Sequence, residues 1–366
     1  MDLLPTPFGQ VELARYPTRA KDLLRAFDGA DAHLLDEVAQ RHQQAQSVLV
    51  VGDRHGALTT ALAERFDVTM WSDSALSRIA TRANLARAGR TALLPDRLPE
   101  LRYDLVVVRP GKARALLEQQ LYEVAGRIQP GTPVVVGEMV KHLGRWMTEA
   151  LERQIGPTTA SLAARKARLL RATRDARRGD PPAWSTYEAP GGITLQNAPG
   201  TFASSGVDAG ARLLLEHLPE GLGDARVVDL GCGNGVLAIA SAARNPEARY
   251  LLVDESAAAV ASAQASWQAN LPGRPVDLLL ADGLSDAAPA SADTVLCNPP
   301  FHGGTTVDEW LGRRLLDQAH RALRPGGELY VVANRHLAHH RHLRQTFARV
   351  DVLGSDPRFS VLRAVR

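Results

Sequence analysis

Short apolar runs separated by helix-length stretches recur along this chain. Val48-Leu49-Val50-Val51, Val134-Val135-Val136, Leu251-Leu252-Val253, Thr294-Val295-Leu296-Cys297 and Leu329-Tyr330-Val331-Val332 are too short for helices and read as buried strands. Between such runs, 57–65, 75–88, 236–244 and 256–269 read as helices. Strand alternating with helix predicts a mostly parallel sheet covered by helices on both faces.

The pattern occurs twice. Val361-Leu362-Arg363-Ala364-Val365-Arg366 repeats Leu169-Leu170-Arg171-Ala172-Thr173-Arg174 at a distance of 192 positions. Pro325-Gly326 echoes Pro130-Gly131 at 195, and the segment 227–235 echoes 48–56 at 179. Asp254 after Leu251-Leu252-Val253 has a counterpart in Asp73. Matches that keep their order while the spacing drifts predict an α/β protein of two tandem, doubly wound Rossmann-like domains. The stretch 175–200, rich in Arg, Asp, Pro and Gly, reads as linker, so the domains are set at 1–180 and 181–366.

Composition excludes more than it selects. Apolar residues make up 45% of 366, ordinary for a globular chain, and no apolar run is long enough for a membrane span. The start, Met1-Asp2-Leu3-Leu4-Pro5, has no signal-peptide pattern, so a cytoplasmic protein is expected. A net charge of +3 does not argue for nucleic acid by itself. Cys232 and Cys297, the two cysteines, both fall inside the motifs described next, and no structural disulfide is expected.

Val227-Val228-Asp229-Leu230-Gly231-Cys232-Gly233-Asn234-Gly235 is a strand running into a glycine-rich turn and a helix. Such a turn lets backbone pass close beneath a ligand at a strand's carboxyl end. A dinucleotide would fit this description too, but Asp229, Asp254 and a loop that lacks the third-glycine spacing of Gly-x-Gly-x-x-Gly favour S-adenosylmethionine. Asp229 is placed to attract the amino end of the methionine moiety, Asp254 to bond the ribose hydroxyls, and Asp282 to accept from the adenine amine. The alternative for Asp254 and Asp282 is a helix cap. Gly231, Gly233 and Gly235 complete the expected cofactor site, with Asn298 at its border.

Asn298-Pro299-Pro300-Phe301-His302 supplies the chemistry. An exocyclic amine conjugated to a ring is a poor nucleophile because its lone pair is delocalised. Two acceptors that take its N–H bonds draw the nitrogen toward tetrahedral geometry and aim the lone pair at a methyl donor. The Asn298 side-chain oxygen and the Pro299 carbonyl are those acceptors, and Phe301 offers a face for a flipped-out base. A strand ending in a proline turn, with Phe301 in the core, is the structural alternative. In the first repeat the same positions read Gly52-Asp53-Arg54-His55-Gly56 and Arg109-Pro110-Gly111, so that copy is expected to be degenerate.

On these motifs the C-terminal half resembles the ribosomal RNA guanine-N2 methyltransferases, whose motif is likewise Asn-Pro-Pro-Phe-His. The likeness extends through Phe202-Ala203-Ser204-Ser205-Gly206-Val207-Asp208-Ala209-Gly210-Ala211-Arg212, Val253-Asp254-Glu255-Ser256 and Val332-Ala333-Asn334-Arg335-His336-Leu337. The last two strings, with Leu116-Leu117-Glu118-Gln119-Gln120-Leu121 and 156–170, are more similar to the large-subunit (23S) enzymes than to the small-subunit ones. The resemblance implies methylation of guanine N2 in 23S rRNA, with Phe202, His302 and Arg335 near the substrate. It also implies a first domain that assists RNA binding. The rivals are a small-subunit rRNA enzyme, a glutamine or adenine amine methyltransferase, and a non-catalytic RNA-binding protein that keeps the pocket.

From Lys141 to Arg178 ten Lys or Arg stand against three acidic residues. Lys141, Arg145, Arg165, Lys166, Arg168, Arg171 and Arg174 are candidates for phosphate contacts. If 167–174 is a strand, alternation places its basic residues on one exposed face. His336 and His340 have no accompanying carboxylate or cysteine, so no metal is expected.

Overall fold

Two sheets, one in each of two units of the chain (Met1–Ala183 and Trp184–Arg366), carry the architecture in a computed structural model. The structure describes residues 1–18, 24–177, 179–299, 306–335 and 339–366, with the backbone alone for 306–309.

The first unit contains β1 (Asp2–Thr6), β2 (Gly9–Leu13), α1 (Gly29–Arg41), β3 (Ser47–Val51), α2 (Ala57–Leu62), β4 (Asp67–Trp71), α3 (Ala75–Ala88), β5 (Leu105–Val108), α4 (Arg114–Ala125), β6 (Pro133–Met139), α5 (Arg145–Gln154), β7 (Thr158–Ala160) and β8 (Ala167–Thr173). Its main sheet runs β4-β3-β5-β6-β8-β7, parallel through β6 and antiparallel around β8. The apolar runs are continuous because both faces are covered. Val48 and Val50 pack toward Leu34 and Leu35 of α1, whereas Leu49 and Val51 share a core with Leu117 and Leu121 of α4.

The second unit contains β9 (Ser185–Ala189), β10 (Ile193–Asn197), α6 (Ala209–Leu215), β11 (Arg226–Leu230), α7 (Val236–Arg244), β12 (Arg249–Asp254), α8 (Ala257–Asn270), β13 (Asp277–Leu280), β14 (Ala292–Cys297), α9 (Thr306–Ala322), β15 (Leu323–Asn334), α10 (His339–Thr346), β16 (Arg349–Ser355) and β17 (Phe359–Val365). Its sheet runs β13-β12-β11-β14-β15-β17-β16. Each sheet ends in an antiparallel pair whose last strand returns beside β6 or β15. The two tandem doubly wound domains read from the repeat are therefore present. They differ at one edge: where the second unit has β13, the first keeps only a single bridge, Thr69 to Leu93.

The stretch read as linker needs correcting. Residues 185–197 form a β-hairpin whose turn contains Gly191 and Gly192, both left-handed (φ 82° and 74°), as tight hairpin turns require. The hairpin is fastened to α8: Asn270 bonds the Thr194 backbone in both directions, and Gln196 N donates to Ser266 Oγ at 2.9 Å.

Candidate active site

In the second sheet β11 lies between β12 and β14, parallel to both. Leu230 is level with Val253 on one side and with Cys297 on the other. The residues that follow these strand ends therefore emerge at one rim, at the point where the strand order reverses and α/β sheets receive ligands. Gly231, Asp254 and Asn298 stand there together.

The glycine turn is held from below. Gly231 N and Cys232 N both donate to the Val253 carbonyl, at 2.9 and 3.0 Å. Gly231 (φ 74°) and Gly233 (φ 55°) are left-handed, and a Cβ on either would project into open space. The loop thus leaves an unfilled cradle above it, the shape a closely bound cofactor needs. Asp254 Oδ2 accepts from Gly233 N at 2.9 Å and Oδ1 from Ser256 N at 3.0 Å, so this carboxylate ties the loop to the start of α8.

Asp229 is fully buried beneath the loop, with Oδ2 accepting from Ala238 N at 3.1 Å. Its Oδ1 has no partner among the described residues. Burial pushes its carboxyl up from 3.8 to about 7, against the help of the Ala238 N–H, while Asp254 adds to the rise.

Asn298 follows β14 directly. Its Nδ2 donates to Asp208 Oδ2 at 3.1 Å, and its Oδ1 is buried with no partner among the described residues. An unpaired buried acceptor costs about 1–3 kcal/mol, so an oxygen that no described residue satisfies is a candidate contact for a ligand donor. Which amide atom is oxygen follows from Asp208: an ionised carboxylate only accepts, so the amine must face it. Asp208 also caps α6, its Oδ2 accepting from Gly210 N and Ala211 N at 2.9 and 3.3 Å. Asp208 lies within the segment 202–212 that resembles the guanine-N2 methyltransferases, and no role for it follows from the sequence alone. An Asp just before a helical stretch was the available signal.

The remaining residues are distributed as follows. Pro299 is buried; Phe301 and His302 lie outside the described residues. Phe202 is 52% exposed. Arg335 is exposed and donates to the Asp356 carbonyl at 3.2 Å. Asp282 is buried and gripped through both oxygens by Arg314 of α9. Tyr187 joins the hairpin to the cleft, accepting from Asn234 Nδ2 at 3.1 Å and donating to the Ala203 carbonyl at 3.0 Å.

The corresponding rim of the first unit has been rebuilt around charge. Asp53 turns inward and accepts from Ala57 N, Thr59 N and Thr59 Oγ1. Arg109, at the position matching Asn298, is buried between Asp28 (2.8 Å), Asp31 (3.0 Å) and Glu138 (3.9 Å), and donates to the Gly137 carbonyl. The cavity left beside these groups is about 240 Å³. That is smaller than the roughly 300 Å³ at which ligand pockets begin.

Alternation along β8 does not set its arginines on one exposed face. Leu169 and Leu170 are both buried, Arg171 is held by Glu37 through two bonds, and Arg174 is buried and donates to the Ala125 carbonyl. The opposing carboxylates sit on α1, far away in sequence, which is why a count of charges in 141–178 missed them. Arg165 is paired with Asp36 at 3.1 Å but remains 55% exposed; Lys141, Arg145 and Lys166 are exposed and Arg168 half-buried.

Two glycine-rich α/β domains in tandem, one with an acceptor-lined cradle and one filled by an ion cluster, define a methyltransferase with a degenerate twin. Residues 192–363 match the model of the methyltransferase small domain family, and residues 1–176 that of the RLMG N-terminal domain. Proteins of Pseudomonas putida and Pseudomonas entomophila named ribosomal RNA large subunit methyltransferase G are 46% and 45% identical, over 100% of this chain and of each relative. The chain belongs to the ribosomal RNA large subunit methyltransferase G family. The 16S rRNA N2 methyltransferase RsmC of T. thermophilus, solved with AdoMet and guanosine, shares the fold across 100% of this chain and 97% of its own. Its TM-score is 0.76 and its identity 24%.

Proposed function

We propose that this chain transfers a methyl group from S-adenosylmethionine to the exocyclic N2 amine of a guanine in 23S rRNA. The observation that carries the reading is Asn298 Oδ1, a buried acceptor without a partner among the described residues, at the rim that also carries the glycine turn. S-adenosylmethionine, when bound, supplies an electrophilic methyl on a sulfonium.

The residues present suit that group: open space over Gly231 and Gly233, the Asp254 carboxylate at the same strand-end rim, and an Asp229 oxygen without a partner among the described residues. Asn298 Oδ1 takes one N–H of the guanine amine and the Pro299 carbonyl the other. Their grip would turn the nitrogen lone pair out of conjugation and aim it at the methyl carbon the cofactor would supply, and the proton released from the methylated nitrogen would pass to solvent water. Neither acceptor needs to act as a base. Phe202 and, beyond the described residues, Phe301 and His302 border the base, and Arg335 the adjoining RNA.

The first unit docks RNA through Lys141, Arg165, Lys166 and Arg168 rather than binding a second cofactor. The names of the full-length relatives favour large-subunit over small-subunit RNA as the substrate. No helix among the described residues is long and apolar enough to cross a membrane, and an rRNA substrate sets the work in the cytoplasm.

Asn298→Ala tests the reading. Losing one preorganised polar contact to the reacting group lowers the rate by about 10²–10³. Methyl transfer should fall by that factor while S-adenosylmethionine and rRNA still bind. Wild-type transfer by the variant would remove Asn298 from the chemistry.

A further inference from the structure

We propose that Asp208 is a positioning residue that sets the working orientation of the Asn298 amide; the inference rests on the reading of Asn298 as the amine acceptor. A primary amide is nearly symmetric in shape, so Asn298 has two orientations related by a half-turn about its last side-chain bond. Only one of them presents oxygen to a substrate amine. The other presents an N–H₂ group, and two donors facing each other make no bond.

Asp208 decides between them. Its Oδ2 lies 3.1 Å from Asn298 Nδ2 and is held in place by Gly210 N at 2.9 Å and Ala211 N at 3.3 Å. The flipped amide would set its oxygen against this carboxylate, losing a charge-assisted bond and gaining repulsion. The cap of α6 thus serves as an anchor for a side chain 90 residues away. Gly210 bounds the amide as well: a Cβ there would lie 2.9 Å from Asn298 Oδ1 and 3.1 Å from Asp208 Oδ2, so the second residue after the cap must be small for the amide to keep its place.

A capping role and a positioning role can be separated because serine caps a helix about as well as aspartate but is shorter. Asp208→Ser keeps the bond to Gly210 N and loses the reach to Asn298. Asp208→Asn keeps a carbonyl oxygen where Oδ2 stands. The expected results for Asp208→Ser are a kcat lowered tenfold to a hundredfold, an unchanged Kd for S-adenosylmethionine by calorimetry, and a double variant with Asn298→Ala no slower than Asn298→Ala alone. Asp208→Asn should recover most of the rate. Gly210→Ala, which crowds Asn298 Oδ1 and Asp208 Oδ2 together, should also lower kcat at least tenfold without weakening cofactor binding, and it stands in should the serine variant fail to fold.

The outcomes distinguish the two levels of the argument. Full activity in Asn298→Ala overturns the acceptor reading itself. A dead Asn298→Ala beside a fully active Asp208→Ser or Gly210→Ala overturns the positioning role alone, as does an equal rate loss from Asp208→Ser with and without Asn298.

Discussion

Replacing Arg109 by Met tests the claim that the first unit exchanged a ligand site for an internal ion cluster. The guanidinium is 2% exposed and sits 2.8 Å from Asp28 and 3.0 Å from Asp31, with Glu138 at 3.9 Å and the Gly137 carbonyl as a further acceptor. Methionine keeps the apolar stem and removes the charge, leaving the buried Asp31 without its counter-ion while Glu138 keeps Arg54 at 3.9 Å. Breaking a buried pair from one side costs about 3–5 kcal/mol. In a unit of this size each kcal/mol lowers the melting temperature by about 2–4 °C, so a fall of roughly 10 °C is expected.

Burial already pushes the Asp31 carboxyl up against the pull of Arg109, and without Arg109 it rises further. Carboxyls with raised folded-state values stabilise below their unfolded values and lose that contribution as pH rises. The deficit of Arg109→Met should therefore be larger at pH 8 than at pH 5. Circular dichroism melts of the full chain at both pH values measure it, and hydrogen exchange assigns it to amides of the first unit. A change under 1 kcal/mol at pH 8, or a deficit that grows on acidification, would refute the reasoning.

Asp229 gives a second pH dependence. Its carboxyl moves from 3.8 to about 7 on folding, worth roughly 4 kcal/mol of stability lost as pH rises through that window. Urea titrations of Asp229→Asn should show a flatter decline between pH 4 and 7 than the parent chain. Changing Lys141, Lys166 and Arg168 together to Ala should weaken rRNA binding and reduce the slope of log Kd against log salt by about 2–3, at 0.7–0.9 per phosphate contact, with kcat unchanged. Arg171→Ala, by contrast, breaks the pair with Glu37 and should register in stability rather than in the salt slope.

What was legible in the sequence was local. Val48–Val51 and Thr294–Cys297 read as strands because burial on both faces leaves no polar alternation, and the drifting repeat revealed the twin domains. The hairpin at 185–197 was misread because Pro190-Gly191-Gly192 signals a turn and a linker equally well. Features that depend on distant partners stayed hidden: Asp208 on Asn298, Glu37 on Arg171, Arg314 on Asp282. None of these pairs has a spacing that local periodicity could register, since each is made by the sheet bringing remote strand and helix ends together.

The central claim is tested most directly by incubating the full chain with S-adenosylmethionine carrying a labelled methyl and each separated rRNA, then identifying the modified nucleoside. The account predicts label in N2-methylguanosine of 23S rRNA, lost with Asn298→Ala. Label in N6-methyladenosine, in 16S rRNA alone, or in protein alone would contradict it.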